Sequence, residues 1–324
     1  ALKWNHIPKM VNWFLYYLKN CNKKSMLHTA KYMHQILSLS NDAYEEIFKE
    51  IDVNGLVEKK GIIYVWTNKN LKSRKLEIKV RDDLGVKQKL LTREEILELE
   101  PNLAPVFDAG VIYENAMHAR DPHGILKEIF KLYIKRGGKF IQSDITSIEQ
   151  KTADETIIKS ANDVYKFEKT VIASGAFSKK LTDQLGENIP LDTERGYHVH
   201  FKDKDKLISR PVIFLDRGFG MTPMNQGLRA VGTVELGGLK NPPSKKRIEY
   251  IINCAKELLP QLGKHDDEWL GFRPTLPDFL PILGPSLKNK NIIYAFGHQH
   301  LGWTLGAVTG KIISGIVAGE KTNL

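Results

Sequence analysis

The sequence has 324 residues, of which 42% are hydrophobic and 27% charged, a composition typical of a globular chain long enough for two domains. It shows no secretory signal and no apolar run as long as a bilayer-spanning helix, and its two cysteines, Cys21 and Cys254, fit no metal or redox spacing. The net charge is +10, and residues 1–90 contain 17 Lys and Arg against 9 Asp and Glu. We therefore expect a cytoplasmic protein with reduced thiols and a basic N-terminal segment.

The basic segment allows three interpretations. A solvated, lysine-rich surface is the simplest, and a nucleic-acid site is the least favoured because no basic stripe with interleaved aromatics accompanies the charge. Within the segment, KMVNWFLYYLKN (9–20) has aromatics flanked by lysines, which suits either a buried helix or a helix lying on a membrane surface. We expect no nucleic-acid partner, and peripheral contact with the inner face of a membrane stays open.

The first part of the chain predicts helices before strands. Apolar residues at helical spacing indicate two or three helices over 8–50, and a run of β-forming residues predicts a strand over 61–66. Thr92, with a glutamate three residues later, forms a capping box that starts a short helix. Asp121 and the proline after it start another helix, which ends at Gly137 and its neighbouring glycine.

Strands dominate the rest of the chain. Patterns of β-forming residues predict strands at 139–143, 145–150 and 169–173, a hairpin at 151–155, an antiparallel sheet over 196–236 and a strand at 291–296. Helical periodicity predicts helices at 244–259 and 304–318. A helix followed directly by strands indicates a βαβ-type layer. Two sheet types interleaved in sequence indicate a mixed α/β (α+β) fold with discontinuous domains.

Two segments near the C-terminus could carry chemistry. In FGHQHLGWTLGAVTG a strand runs into a helix, so free N–H groups and the small Gly302 could approach an anionic or electron-rich ligand. Tight packing of the helix explains the glycines equally well. Arg273 stands in the proline-rich stretch WLGFRPTLPDFLPILGPS, which suits either capture of a carboxylate or an ion pair with nearby Asp278.

Other candidates are weaker. TVIASGAFS (170–178) ends a strand in small residues that let a ligand lie over the backbone. Tyr197 and His198 open the strand ERGYHVHF, where both could be ordinary sheet residues. His298 and His300 could meet at one metal ion, but no third ligand is evident, and we expect neither a metal site nor a Ser/His/Asp triad.

Together these segments resemble a known family. GFRPTLPDFLPILGPS, NIIYAFGHQHLGWTLGAVTGKIISGIVAG, TVIASGAFS, ERGYHVHF, GLRAVGTVELGG and DPHGILKEIFKLYIKRGGKF stand in the order seen in FAD-dependent D-amino-acid dehydrogenases. More broadly, that order is similar to the D-amino-acid oxidase and glycine oxidase family. The resemblance runs through essentially the whole chain and is most specific over 269–324.

The resemblance implies an FAD-linked oxidoreductase fold. Its Rossmann-like FAD domain would comprise 116–183 and 269–324, and its antiparallel-sheet substrate domain would comprise 1–115 and 184–268. Family members open with a βαβ unit whose G-x-G-x-x-G motif binds the FAD pyrophosphate, and no such motif occurs here. The match begins at ALKWNHIPKM, so we expect about 80 residues of the family pattern to be missing and the FAD domain to be incomplete.

The activity implied by the resemblance is oxidation of the Cα–N bond of a D-amino acid, glycine or a related amine. Hydride transfer from Cα to the flavin of FAD gives an imino acid, which water hydrolyses to a 2-oxo acid and ammonia, with no protein acid or base required. A quinone or O₂ would accept the electrons. The alternative is a truncated, cofactor-free and inactive fragment of the same family.

The resemblance also implies site residues. Arg273 would bind the substrate carboxylate, with Tyr197 and His300 lining the substrate side, whereas Glu235 is expected to be a solvated structural residue at a sheet edge. The N-terminus of the last helix would stabilise negative charge on the reduced ring. The residues expected to contact FAD are Ile145, Ala173, Ser174, Gly175, His298, Gln299, Leu301, Gly302, Trp303 and Thr304.

Overall fold

The computed structural model describes residues 2–68, 71–152 and 155–320 and has a mixed α/β fold, as the sequence predicts. The strands in chain order are β1 (Val57–Glu58), β2 (Ile62–Trp66), β3 (Lys89–Thr92), β4 (Ala109–Tyr113), β5 (His118–Ala119), β6 (Ser147–Thr152), β7 (Glu155–Lys159), β8 (Val164–Phe167), β9 (Thr170–Ile172), β10 (Asp192–Lys202), β11 (Val212–Phe214), β12 (Phe219–Met224), β13 (Gly227–Leu236), β14 (Asp267–Thr275), β15 (Ile282–Pro285) and β16 (Ile292–Phe296). The helices are α1 (Ile7–Asn20), α2 (Lys23–Leu37), α3 (Ser40–Phe48), α4 (Leu71–Asp83), α5 (Arg93–Leu99), α6 (Pro122–Lys135), α7 (Ser178–Gln184), α8 (Lys245–Leu258) and α9 (Gly302–Ala318).

The largest sheet has eight strands in the order β14-β10-β13-β12-β11-β2-β4-β3. Its neighbouring strands are antiparallel except β11 and β2, which run parallel. One face is covered by α8, whose apolar residues join those of β10 in a single buried cluster. The domain boundaries stay a prediction, but the one drawn at residue 269 falls inside β14, which pairs with β10 in this sheet.

A second, three-stranded sheet has the order β15-β16-β9, with β16 and β9 parallel. Helix α9 contacts β15 and β16, and apolar residues of α2 and α3 pack against its other side. Within the described residues β9 has β16 as its one strand neighbour, so its outer edge is unpaired. A third sheet, β6-β7-β8, is antiparallel and contains the expected hairpin, whose residues 153–154 lie outside the described ranges.

The helix starts predicted from capping residues are confirmed. The Thr92 hydroxyl accepts a hydrogen bond from the N–H of Glu95, and the Glu95 carboxylate accepts one from the N–H of Thr92, at 3.2 and 2.8 Å. At the start of α6 the Asp121 carboxylate accepts from the N–H of Gly124 at 3.0 Å. Gly137, just after the end of α6, has a φ of +86°, a conformation that few other residues adopt.

Two sequence predictions are wrong. Residues 139–143 were expected to form a strand but are irregular, because no strand among the described residues pairs with them, and Phe140 and Ile141 are exposed. No bilayer-length apolar run was expected, yet Gln299–Ala318, comprising a short turn and α9, is long and apolar enough to span a membrane. It packs against α3 and β15, and 39% of its apolar window is buried.

Candidate active site

Arg273 lies on β14, on the face of the large sheet opposite α8. Its Nη1 atom donates a hydrogen bond to the backbone oxygen of Thr233 on β13, at 3.2 Å. The guanidinium lies over Gly196 of β10, where an added Cβ would come within 2.4 Å of the Arg273 Cζ atom. Glycine at position 196 and the Thr233 carbonyl therefore hold the guanidinium against the surface of the sheet.

The charge of Arg273 is only partly balanced. Burial lowers the pKa of its guanidinium, and Glu194, opposite it on β10, acts in the other direction. Burial raises the pKa of the Glu194 carboxyl, while Arg273 and the hydroxyl of Thr275 lower it. The ion pair with Asp278 considered from the sequence is not formed: the Asp278 carboxylate accepts from the N–H of Leu280 at 3.1 Å. Arginine stays charged when buried, so the site presents a cation that suits a carboxylate.

An aromatic pair lies on the same face. The indole of Trp269 covers Gly271, where an added Cβ would come within 2.1 Å of the ring. The imidazole of His198 stacks on this indole, with ring centroids 4.9 Å apart and planes 19° apart. Burial, followed by the charges of Arg229 and His200, lowers the pKa of His198 to about 4, so its ring is neutral near pH 7. The rings of Trp269 and His198 therefore form an uncharged surface on the same face as the Arg273 guanidinium.

The turn before α9 is tied to the end of β14 by two strained residues. Gln299 and Phe279 have φ angles of +51° and +64°, a left-handed conformation that is costly for residues other than glycine. The Gln299 side chain donates from Nε2 to the backbone oxygen of Phe279 at 2.5 Å, and a β-bridge joins Thr275 to His298. These contacts place the turn beside the strand that carries Arg273.

The two histidines of this turn, His298 and His300, have different surroundings. The Nε2 atom of His298 lies 2.9 Å from the hydroxyl of Thr309 on α9, and burial lowers the pKa of its ring. His300 keeps contact with solvent, and partial burial and the charge of Arg273 lower its pKa. Among the described residues no group of three His, Cys, Asp or Glu side chains is placed to bind a metal.

The first turn of α9 is open to solvent. Gly302, Trp303 and Thr304 are exposed, and the nearest atom to a Cβ added at Gly302 would be the His298 Cβ at 3.8 Å. The hydroxyl of Tyr44 donates to the backbone oxygen of Trp303, which attaches this turn to α3. Three of the predicted cofactor contacts therefore stand free at a helix N-terminus, where N–H groups have no intrahelical partner.

An open groove of about 640 Å³ continues from this turn along the whole of α9. The helix has 17 residues, about 25 Å, which is longer than one flat ring requires. Only Gly302 stands at the helix start, whereas Gly306 and Gly310 face the groove further along. The groove is lined by Val171, Ala173, Ala295, His298, Gly302, Gly306, Thr309, Gly310, Ile313, Ser314, Val317 and Ala318.

The other predicted cofactor contacts are dispersed. Ala173 lines the groove, but Ile145, Ser174 and Gly175 are not part of its lining. The Gln299 side chain is buried and points to Phe279, so only its backbone could face a ligand. Leu301 is partly buried against the apolar cluster of α2, α3 and α9.

Tyr197 does not line this site, and the prediction that it does is wrong. Successive side chains of a strand point to opposite faces, so Tyr197 points away from the face occupied by Arg273. It is fully buried under α8, its hydroxyl donates to Glu235 at 2.6 Å and accepts from the N–H of Ser244 at 3.1 Å. Burial, followed by the hydrogen bond to Glu235, raises the pKa of Tyr197.

Glu235 was expected to be solvated but is buried. Its carboxylate lies 3.4 Å from Nε of Arg195, which is fully buried, and 3.5 Å from Nζ of Lys3. Its interpretation as a structural residue agrees with these contacts. The reason given for it was wrong, since a buried cation and not solvent balances its charge.

From the sequence, Gly196, Gly271 and Trp269 were not predicted as site residues, and His198 was only a weak candidate that could be an ordinary sheet residue. The signal was present, because Trp269, Gly271 and Arg273 alternate along one strand and therefore share a face. The pairing of Gly271 with Gly196 and of Trp269 with His198 depends on the register between β14 and β10, which one sequence does not reveal.

Known proteins resemble this chain in sequence and in fold. The pattern of the family described as FAD dependent oxidoreductase matches residues 9–316. The chain belongs to this family. The oxidoreductase is 28% identical to a D-amino-acid oxidase from Bradyrhizobium diazoefficiens over 330 aligned positions, which cover 100% of the chain and 78% of the relative. It is 27% identical to a D-amino acid dehydrogenase from Vibrio atlanticus, with 98% and 78% covered.

The fold of the oxidoreductase is also that of solved structures. A glycine oxidase from Geobacillus kaustophilus superposes with a TM-score of 0.79 at 21% identity, over 90% of this chain and 79% of the other. The family and fold resemblances drawn from the sequence are confirmed.

The residues of this oxidoreductase fit one end of FAD, the cofactor of its family. The exposed start of α9 offers free N–H groups, and Gly302 leaves space for a flat ring. The pyrophosphate-binding motif G-x-G-x-x-G does not occur in the sequence.

Proposed function

We propose that the protein oxidises the Cα–N bond of an amino acid, either a D-amino acid or glycine or a related small amine. The amino acid loses a proton and a hydride, which carries two electrons, and becomes an imino acid. Water then hydrolyses the imino acid to a 2-oxo acid and ammonia. The observation that carries the proposal is the guanidinium of Arg273, held over Gly196 beside the exposed start of α9. The names of the relatives from Bradyrhizobium and Vibrio support the same substrate class.

Arg273 binds the substrate carboxylate in this proposal. A guanidinium that is partly buried and already held by the Thr233 carbonyl loses little freedom when it pairs with a carboxylate. The neutral pair of Trp269 and His198 stands beside it and offers an apolar surface to the substrate side chain. His300, whose lowered pKa keeps its ring neutral, offers a hydrogen bond at the same end of the site.

The start of α9 holds the ring end of FAD, with the backbone of His298, Gln299, Leu301, Gly302, Trp303 and Thr304 as the contacting residues. FAD, when bound, supplies the acceptor for the hydride that leaves Cα. The free N–H groups of Gly302, Trp303 and Thr304 stabilise negative charge next to them. The protein's contribution is thus orientation and electrostatic stabilisation, and no side chain has to act as an acid or base.

The final electron acceptor is a quinone or O₂, and the enzyme acts in the cytoplasm. The expected reduced state of the cysteines fits this compartment, since Cys21 and Cys254 are both free. The alternative interpretation, a cofactor-free fragment, draws on the missing pyrophosphate motif. The FAD-dependent enzyme and the cofactor-free alternative differ in whether the purified protein binds FAD.

The test begins with FAD titrated into the purified protein, followed by anaerobic addition of D-alanine, glycine or L-alanine while flavin absorbance is recorded. We expect bound flavin that is bleached by D-alanine or glycine. Replacement of Arg273 by Ala should raise the amino-acid concentration needed for half-maximal reduction by about 10²-fold and leave flavin binding unchanged. A protein that stays colourless with FAD supports the fragment alternative instead.

The matched control is Arg217→Ala, which removes another guanidinium from an exposed pair with Glu257. It should leave flavin reduction unchanged. If Arg273→Ala abolishes flavin binding, Arg273 is a structural residue and its assignment to the substrate is wrong.

A further inference from the structure

Helix α1 has two apolar stripes, and only one of them is buried. Met10, Trp13 and Tyr17 face inward, as their spacing of three and four residues requires. The adjacent stripe, which we call the outer stripe, has a similar spacing and consists of Val11, Phe14, Leu15 and Leu18, which are 44 to 61% exposed. The interpretation of 9–20 as a buried helix is therefore wrong for five of its eight apolar and aromatic residues.

The inner stripe fixes the helix in place. Trp13 donates from Nε1 to the backbone oxygen of Thr275 at 3.1 Å, and its ring stacks on that of Tyr17 at 5.3 Å. The ring of Tyr17 in turn contacts Phe279 edge-on, with centroids 5.9 Å apart. The outer stripe thus projects from a helix that is anchored at the end of β14.

More apolar side chains surround the outer stripe. Trp4, just before α1, is 85% exposed, and Tyr16 is exposed on the next turn of the helix surface. Contiguous exposed apolar residues on a folded chain usually mark a surface that contacts another apolar phase.

Most of the charges around this surface are positive, although Asp192, which lies 3.1 Å from Nε2 of His6, also lines the groove beside α1. Residues 1–41 contain six lysines and no aspartate or glutamate. Lys9 and Lys19 stand near the two ends of α1 and are exposed, and among the described residues neither forms an ion pair. Beside α1 runs a groove of about 1010 Å³ whose lining includes Lys9, Lys180 and Lys240. The apolar stripe is therefore bordered by unneutralised positive charge.

We propose that the outer stripe of α1 and the lysines around it bind the surface of a bilayer that contains anionic phospholipids. A helix with aromatic and aliphatic residues on one side and lysines at its edges lies in the interface between headgroups and acyl chains. The absence of acidic residues from 1–41 gives charge complementarity to an anionic membrane surface. The proposal concerns a surface outside the active site and does not require bound FAD.

The test is co-sedimentation of the full chain with phosphatidylcholine vesicles and with vesicles of equal parts phosphatidylcholine and phosphatidylglycerol. We expect binding to the anionic vesicles, weaker by about tenfold or more at high salt and on neutral vesicles. The double variant Phe14→Ser/Leu15→Ser should also reduce binding by about tenfold or more, with an unchanged melting temperature because both side chains are exposed.

The matched control uses the same two residue types on α6. Leu126 and Phe130 are 53% and 45% exposed, and α6 also carries lysines, so Leu126→Ser/Phe130→Ser removes a similar surface at another place. This variant should bind anionic vesicles as the unmodified chain does. An equal loss in both variants, no binding to anionic vesicles, or equal binding to neutral vesicles overturns the proposal. So does a dimer of the unmodified chain that dissociates in Phe14→Ser/Leu15→Ser, because the stripe would then bind a second copy.

Discussion

Gly196 lies directly under the guanidinium of Arg273, on the neighbouring strand of the same sheet. The two residues are 77 positions apart in sequence, and the position of the guanidinium depends on the absence of a side chain at residue 196. A side chain at position 196 would occupy the space of the guanidinium, so the glycine is a condition for the proposed carboxylate site.

Replacement of Gly196 by Ala should therefore impair substrate binding. The added Cβ would lie 2.4 Å from Cζ of Arg273, so the guanidinium must move away from the sheet. We expect kcat/KM for the amino acid to fall by about 10²-fold, mainly through KM, as measured by steady-state oxidation or flavin reduction. Gly263→Ala is the control, because no atom lies within 4 Å of its added Cβ, and it should keep full activity. Unchanged kinetics of Gly196→Ala would show that Arg273 does not act from this position.

Glu235 should contribute to stability and not to catalysis. Its carboxylate is buried with Arg195, and its removal leaves a fully buried guanidinium without its counter-charge. We expect Glu235→Ala to lower the free energy of unfolding by about 3–5 kcal/mol in urea titration. Glu249→Ala, which removes an exposed carboxylate from α8, should change it by less than about 0.5 kcal/mol. A similarly small effect of Glu235→Ala would contradict the role assigned to this buried pair.

His118 should make the protein sensitive to acid. Burial lowers the pKa of its ring to about 4, with Arg120 and Lys60 acting in the same direction and Glu58 in the opposite one. The unfolded chain, with an ordinary histidine, takes up the proton first as the pH falls below about 6.5. The contribution of His118 to the free energy of unfolding is therefore complete above about pH 6.5. As the pH falls towards 4, this contribution is lost, by up to about 3 kcal/mol.

The measurement is the free energy of unfolding at several pH values in this window. His118→Gln should show a flatter dependence than the unmodified chain, because its side chain does not titrate. His123→Gln, which removes an exposed histidine, should keep the original slope. Parallel curves for His118→Gln and the unmodified chain would exclude His118 as the source.

Gln299 should matter more for activity than for stability. Gln299→Gly relieves a left-handed conformation, worth about 1 kcal/mol, and removes the hydrogen bond to Phe279, worth a similar amount. We expect the free energy of unfolding to change by less than about 1 kcal/mol, while kcat/KM falls by about tenfold because the turn is no longer tied beside β14.

The control for this change is Asp203→Gly. Asp203 has a φ of +55° in an exposed turn after β10, so its replacement relieves similar strain at a place remote from the turn before α9. It should leave activity unchanged. A Gln299→Gly enzyme with full activity would show that the tether to Phe279 is dispensable.

Local signals in the sequence were sufficient for elements that depend on neighbouring residues. The capping box at Thr92 and the cap at Asp121 are interactions over three residues, and both are present. The expected strand at 139–143 failed because a strand needs a partner, which local pattern does not supply. The same limit applies to Arg273, which was assigned to a proline-stiffened segment and lies on β14 instead.

Residues of the proposed site were predictable where the family resemblance named them. They were not predictable where their position depends on the register between two strands. Arg273 and the start of α9 were expected from the family pattern, and the structure brings them near each other through Gln299 and Phe279. Tyr197 was placed on the wrong face, because the resemblance gave its strand but not its direction. Gly196 was missed and His198 was kept only as a weak candidate for the same reason, since both directions and pairings follow from the register of β10 against β14.

Strand β10 divides its residues by parity. Glu194, Gly196, His198 and His200 lie on the face that carries Arg273. Tyr197, Val199 and Phe201 join the hydrophobic cluster under α8, and Arg195 on the same face pairs with the buried Glu235. A library aimed at new substrates can therefore randomise Glu194, His198 and His200, keep Gly196, and leave the odd positions untouched. Selection for catalysis and selection for foldability would then act on separate sets of codons within one eleven-residue segment.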